Sequence, residues 1–199
     1  LPLSFGLRHM HEPICDFSKR YPHVAFDLDF NDRHIDLVEE GLDVAVRIAR
    51  LRDSTLIARK LFEVRTVVCA SPDYLQRHGY PKVPADLGHH DCLLYSNLPR
   101  PGRLAFTNPD GSRNVVTVKA SMVASSGDFL SHAASAGLGI ALLPTFIVHQ
   151  GLREGRLVPL LTDHHWPVTP AHAVYPPTRH LSHRVRAFTF GSILPTIER

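Results

Sequence analysis

The sequence predicts an α/β protein, and three observations carry that prediction. Apolar residues alternate with polar ones from Val24 to Phe30 and again from Leu42 to Ile48, the two-residue period of half-buried strands. Helical spacing links Leu7, Met10, Ile14 and Phe17 before the first of these stretches, and Ile35, Leu37 and Val38 between them. Further on, Ser125-Ser126-Gly127-Asp128 runs into Gly137-Leu138-Gly139-Ile140-Ala141-Leu142-Leu143-Pro144. That is a polar turn, a helix, a glycine stop, a short buried strand and a proline that opens another helix.

Taken in order, Ser4 is placed to cap the first helix, and Pro22 ends it. Val24 to Phe30 is the first strand. Asn31-Asp32 is placed to cap the second helix, which Gly41 stops. Leu42 to Ile48 is the next strand, and Leu56 to Ser71 is one or two more, with Arg59, Lys60 and Glu63 marking an exposed turn or edge. For such a β-α-β-α-β series the expected outcome is a parallel sheet with right-handed crossovers. Pro72 opens a short helix that Gly79 closes, and Cys92 to Tyr95 is a buried strand. Arg103 to Thr107 and Asn114 to Lys119 flank Asn108-Pro109-Asp110-Gly111, a hairpin signal. A helix from about Thr145 to Leu152, strands at Leu157 to Leu161 and Ala171 to Tyr175, and a final amphipathic helix with Leu181, Val185 and Phe188 complete the pattern. No internal repeat or low-complexity tract interrupts it.

The functional signal lies in the helix starts. A helix that opens on small hydroxyl residues presents free backbone N–H groups and a partial positive charge, which suits an anion. The chain has two such starts, at Leu3-Ser4-Phe5-Gly6 and at Ser125-Ser126-Gly127. Together they suggest a cleft for a small acidic molecule. Each serine is equally readable as a plain cap. Arg47, at the end of a strand, is placed either to clamp a carboxylate bidentately or to pair with Asp32 or Asp53. Asp32 and Asp128 repel an anion or call for a ligand that also carries an amine, so an amino acid or a hydroxy acid fits.

Composition excludes several classes. The chain has 199 residues, of which 44% are hydrophobic and 21% charged, as in a globular protein of one large or two small domains. A formal charge of +3 gives no basic stripe for nucleic acid. The nearly uncharged run from Phe129 to Val148 is broken by Gly137, Gly139 and Pro144, so it reads as helix, strand and helix start rather than a membrane span. Cys15, Cys69 and Cys92 are scattered and odd in number, which reads as buried, reduced thiols in a cytosolic protein, with a redox switch as the alternative. The 14 histidines invite a metal reading. However, His9 and His11 point to different helix faces, and the pairs His89-His90 and His164-His165 are adjacent loop residues, so no metal site is expected. Neither a nucleophile elbow, a dinucleotide fingerprint nor a P-loop occurs, so no catalytic residue and no cofactor is assigned. The chain opens without Met or a signal peptide, as a fragment of a longer protein would.

An ordered set of segments carries a resemblance. It comprises Phe17-Ser18-Lys19-Arg20-Tyr21-Pro22-His23-Val24, the run from Asp32 to Ile48, Leu56 to Leu61, Cys69 to Leu75, Ala136 to Pro144, and Val174-Tyr175-Pro176-Pro177. In that order, and over essentially the whole chain, they resemble the effector-binding domain of LysR-type transcriptional regulators. The last two segments, with Arg179-His180-Leu181-Ser182, look most like the CrgA-like branch.

The resemblance implies a periplasmic-binding-protein-like fold of type 2, with two Rossmann-like subdomains joined by two crossing strands. Residues 1–68 with 174–199 would form the first subdomain and 69–173 the second, with the effector between them. Carried over position by position, the effector site would use Ser4, Phe5, Asn31, Asp32, Arg47 and Ile48 from the first subdomain. From the second it would use Ser96, Asn97, Ser125, Ser126 and Gly127. The implied partners are a small carboxylate-like or amino-acid-like effector, a second copy of the chain in a homodimer or tetramer, and operator DNA, with no membrane. Operator DNA would be reached through an N-terminal winged helix-turn-helix that these residues do not include. The family's first strand ends where this chain begins. Dimers of the family would pair the helix at Leu7 to Arg20 with that at Gly127 to Ala136. Met10, Ile14 and Phe17 are open to either a core or an interface role. A free-standing solute-binding protein is the rival reading of the same architecture.

Overall fold

A computed structural model describes residues 1–32, 36–51, 55–96, 101–177 and 187–188. The chain divides into two units, Leu1–Glu63 with Thr169–Arg199, and Val64–Val168. Each is taken by itself.

The first unit opens on a continuous helical run: α1 (Leu3–Phe5), one π-helical turn (Gly6–Met10) and α2 (His11–Arg20). Its apolar face is the one expected, since Met10, Ile14 and Phe17 are all buried. Leu7 is the exception, 58% exposed. Ser4 is not the cap. Pro2 holds that position, and Ser4 lies inside the first turn, buried. The Leu3 amide instead donates to Asp32 Oδ1 at 3.0 Å, so a carboxylate far along the chain takes one of the helix's orphan donors.

The alternation from Val24 to Phe30 does not make a strand. A strand needs a ladder partner, and this segment is bonded at its end to Leu1, which donates to Asp29 O and accepts from the Asn31 amide, each at 2.8 Å. The second helix is described only from Asp36 on, as a turn. Asp36 accepts from the amides of Val38 and Glu39, while residues 33–35, Ile35 among them, which an Asn31-Asp32 cap would serve, lie outside the described residues. The Leu42 amide then reaches back to Leu37 O at 2.9 Å and closes the turn at Gly41.

The strands β1 (Ala45–Ile48), the first half of β2 (Ile57–Ala70) and, from the far end of the chain, β9 (Val168–Tyr175) belong to this unit. The β1–β9 pair is antiparallel, with Ala45 opposite Val174 and Arg47 opposite His172. The expected parallel arrangement is therefore not what β1 makes here. Ala45, Val174 and Leu37 form a small core with Leu42, Leu51 and Leu56 against it. A second cluster joins Phe17, Phe26 and Phe188 edge to face. Ala187 and Phe188 are helical, as the final helix requires, while Leu181 and Val185 lie outside the described residues.

Strand β2 is unbroken; Arg59, Lys60 and Glu63 lie within its first half rather than at a turn, Lys60 pairs with Glu63 at 2.6 Å, and its second half opens the second unit. Then follow α3 (Pro72–His78), a 3-10 turn (Pro84–His89), β3 (Cys92–Tyr95), the hairpin β4 (Arg103–Thr107) and β5 (Arg113–Thr117), and β6 (Ala120–Ala124). After these come α4 (Gly127–Ser135), β7 (Ile140–Pro144), α5 (Thr145–Arg153) and β8 (Val158–Leu160). Here the parallel arrangement is found: β3 pairs parallel with both β6 and β7. Strand β2 is antiparallel to β7 and β8.

Both faces of this sheet are covered, so consecutive strand residues are buried on opposite sides. Val68, Ala70, Cys92, Leu94 and Ile140 pack with Tyr74, Leu75 and the hairpin's Leu104 and Val116. Cys69, Leu93, Ala141 and Leu143 pack with Leu130, Ala134, Ile147 and Val148 of α4 and α5. Burial pushes the Cys69 thiol up to about 12 and the Cys92 thiol to about 11, which keeps both protonated. Cys15 departs from the expectation of buried thiols, since it is exposed. Helix α4 ends at Gly137, whose φ of +79° allows the Leu138 and Gly137 amides to turn back to Ala133 O and Ala134 O.

Candidate functional site

The residues singled out by sequence fall into two groups, one in each unit. In the second unit the elements converge on the carboxyl ends of the parallel strands β3 and β6. The Ser96 amide bonds to Ala124 O at 2.9 Å and extends the β3–β6 pairing past Tyr95. Ser125 follows Ala124 directly and is exposed. Ser126 is the N-cap of α4: its Oγ accepts from the Phe129 amide at 3.2 Å, and its carbonyl accepts from Leu130. Gly127 is buried at the first turn, and Asp128 beside it is half-buried. Ser96, Ser125, Ser126 and Gly127 are thus brought together where a parallel sheet commonly receives a ligand. Asn97 lies outside the described residues.

This end of α4 carries opposing electrostatic terms. The backbone N–H groups of the first turn favour an anion. The Asp128 carboxylate already supplies negative charge there. A ligand on this side gains most if it brings hydroxyl or amine donors along with its acidic group.

In the first unit, Asp32 sits at the start of α1 through its bond to Leu3, beside Ser4 and Phe5. Ser4 and Phe5 are both buried. The Phe5 ring stacks on Phe62, centroids 5.1 Å apart, and lies 5.3 Å from the His9 ring. Asn31 is tied through its amide to Leu1. Arg47 and Ile48 end β1, half-buried, across from His172 and Ala171 of β9. Asp53, the other candidate partner for Arg47, lies outside the described residues.

Sequence reasoning passed over His172. It is half-buried, and its Nδ1 is cut off from solvent and has no hydrogen-bond partner. Burial chiefly lowers its basicity; the Ala49 backbone works against that, and the Lys60 charge adds to it. A lone histidine in a strand has no spacing pattern to flag it. Only pairing with Arg47 gives it company.

Among the described residues no group of three His, Cys, Asp or Glu side chains is placed to hold a metal ion. No described helix is long and apolar enough to cross a membrane.

Comparison with known proteins supplies the family. The family model described as LysR substrate binding domain matches residues 1–189. An HTH-type transcriptional regulator of Haemophilus influenzae is 38% identical over 195 residues, covering 96% of this chain and 66% of the relative. The HTH-type transcriptional regulator CrgA of Neisseria meningitidis is 37% identical over 183 residues, covering 90% of this chain and 60% of that protein. The chain therefore spans about two thirds or less of the length of these relatives. Among solved structures, the CrgA regulatory domain from N. meningitidis superposes with a TM-score of 0.82 at 32% identity, over 99% of this chain and 94% of that one. The full-length Vibrio cholerae virulence activator AphB gives a TM-score of 0.82 at 30% identity, over 96% of this chain and 65% of that one. These relatives are transcriptional regulators, which sets the solute-binding protein aside. The chain belongs to the LysR family of transcriptional regulators, as an effector-binding domain of the periplasmic-binding-protein-like α/β fold.

Proposed function

We propose that this chain senses a small acidic metabolite through the two groups of residues just described, one in each unit, and that it is a sensor rather than an enzyme. The capped start of α4 at the carboxyl ends of β3 and β6 is the observation that carries this reading. Arg47 of the first unit supplies the second anchor, a guanidinium that grips a carboxylate with two parallel bonds. Effector binding shifts a balance between arrangements of a cytoplasmic dimer or tetramer, by no more than the effector's differential affinity for each. The shift is passed to operator DNA through the helix-turn-helix part that the relatives' names record.

A thermal-shift screen against carboxylates, amino acids, hydroxy acids and sugars tests the reading. A ligand that binds only the folded chain raises Tm as RT ln(1 + [L]/Kd). An acid is expected to give a dose-dependent rise that falls about tenfold in apparent affinity in Arg47→Ala and in Ser126→Ala. Ser126→Ala also loses a cap worth about 1 kcal/mol of stability. Unchanged affinity in both variants would place the site elsewhere.

Self-association is expected through the exposed apolar side chains of the same helices. Ile14 and Ala133 are buried within one chain, so acidic substitutions there unfold the protein instead of reporting on an interface. Leu7 and Phe129, 58% and 54% exposed, are the informative positions. Leu7→Glu and Phe129→Glu are expected to give folded monomers by light scattering with circular dichroism unchanged. A dimer that survives both moves the interface off these helices.

A further inference from the structure

Pro13 stands where the helical run at the start of the chain changes its winding. The interior of an α-helix does not accept a proline without loss, because the residue has no amide hydrogen and its ring strikes the carbonyl four positions back. For Pro13 that carbonyl belongs to His9. The backbone leaves regular helical values at the very next residue: Met10 has φ −106° and ψ −14°, whereas φ at Phe5, Gly6 and His11 is −69°, −57° and −61°. Met10 thus begins a fresh helix, α2, and Pro13 falls in its first turn, where no amide bond is needed. Immediately before it lies the π-helical turn Gly6–Met10, a wider winding that takes up one extra residue.

The extra residue changes which side chains face the core. In a continuous α-helix the residues on the face of Met10 are three, four and seven positions back, which are Leu7, Gly6 and Leu3. In a π-turn the residue beneath Met10 is five positions back, Phe5, which an α-helix would carry on the other side. Burial follows the second pattern. Met10 and Phe5 are 0% and 3% exposed, while Leu7 and Leu3 are 58% and 36% exposed. Phe5 stacks on Phe62, and Gly6 lies so close to Phe30 that a Cβ there would meet the ring.

We infer that Pro13 is a positioning residue for self-association: it forces the π-turn, and the π-turn holds Leu3 and Leu7 outward as an apolar face for a second copy of the chain and Phe5 inward beside the buried Ser4. The inference rests on the self-association reading above and adds to it the residue that builds the face. Pro13 is itself buried, so it acts through the winding of the helix and not by touching the partner. One turn then carries two of the effector candidates, Ser4 and Phe5, on its inner side and the two leucines on its outer side. Whatever rotates the one pair rotates the other.

Pro13→Ala restores the amide and removes the ring, so the run is expected to wind as one α-helix, with Leu7 under Met10 and Phe5 turned out. Maleimide labelling of Leu7→Cys, read by peptide mass spectrometry, follows that rotation, with the exposed native Cys15 as the internal reference. The labelling is done in Phe129→Glu, so that no second copy covers residue 7. With Pro13 in place the introduced thiol is expected to react about as fast as Cys15. In Pro13→Ala it is expected to react about tenfold more slowly or less, since a buried thiol reacts only through local opening. A proline that merely stiffened the helix would move the urea midpoint but not the reactivity at residue 7. With Phe129 unchanged, Pro13→Ala is expected to scatter light as a folded monomer. Equal reactivity in the two chains would overturn the inference and leave the Phe5–Phe62 stack as what holds the turn. A Pro13→Ala chain that cannot fold would overturn it too, because no α-helical winding would then offer Leu7 a place in the core. A slowed thiol in a chain that still dimerises would overturn the partner face and the self-association reading, and leave Pro13 in control of the turn.

Discussion

Replacing Gly139 with alanine is expected to cost about 3 kcal/mol or more of stability, seen as a fall in the urea midpoint with the slope unchanged. Gly139 lies between the end of α4 and the start of β7, where the chain passes directly over the backbone of Asp91. A Cβ at this position would run into the Asp91 carbonyl oxygen and into Leu93 Cδ2. The carbonyl has no freedom to retreat, because it accepts the Ile140 amide at 2.8 Å and so sets the first rung between β3 and β7. The φ of +157° adds strain for any side chain. Either the rung breaks or β7 shifts relative to β3, and Leu93 and Ala141 lose their packing on α4. Gly155→Ala is the control, since nothing lies within 4 Å of a Cβ there; it costs only the strain of its positive φ. An alanine at 139 that leaves the midpoint unmoved would refute the close approach.

Tyr74→Phe is expected to cost about 2 kcal/mol through one deleted oxygen. Tyr74 Oη accepts the Asp91 amide at 3.0 Å and lies 3.2 Å from His90 Nδ1. The hydroxyl thus joins the Asp91 backbone to the His90 ring. The variant leaves the Asp91 amide and His90 Nδ1 without this partner.

A pH dependence follows from the same ring. Burial, and next the neighbouring His78, lower the His90 value below its ordinary 6.5; His89 pushes the same way, and Asp86 and Asp91 oppose. A group whose folded value is lowered takes up its proton first in the unfolded chain. Its contribution is therefore complete above pH 6.5 and is lost as pH falls through 6.5 toward the folded value. His172 is lowered as well and acts in the same direction. Urea unfolding at pH 7 and pH 5.5 is expected to show lower stability at the acid value, with a smaller difference in His90→Gln. A stability that rises on acidification would contradict the neutral, hydrogen-bonded ring.

These two sites also show what sequence alone can reach. The start of α4 was legible at Ser126 because the cap and the amide it serves are three residues apart in the chain. The start of α1 was not, because its acceptor is Asp32, brought from far along the sequence by the fold of residues 24–32. Likewise the hairpin at Asn108 to Ser112 is local and legible in the sequence, whereas the alternation at Val24 to Phe30 is real but does not reveal how little of it finds a ladder partner. Helical period distinguished the face of α2 but not Leu7 from Met10, since the one lies exposed and the other under the unit's own core. His172 became visible only when β9 brought it opposite Arg47. Local chemistry is written in order along a chain; partners supplied by topology are not.

The passage of β2 and β9 from one unit into the other has a consequence for synthesis. The second unit is one contiguous stretch, Val64–Val168, whereas the first is assembled from both ends of the chain. On a ribosome the second unit can close its sheet while β9 is still inside the exit tunnel, and β1 must wait for its neighbour. A nascent chain that ends at Val168 and is held on the ribosome through a linker long enough to span the tunnel should therefore protect the Leu93 and Leu143 region from protease but leave residues 45–48 open to it. The part that carries Arg47 and His172 is finished last, so the β1–β9 pair forms only once the far end of the domain has been made.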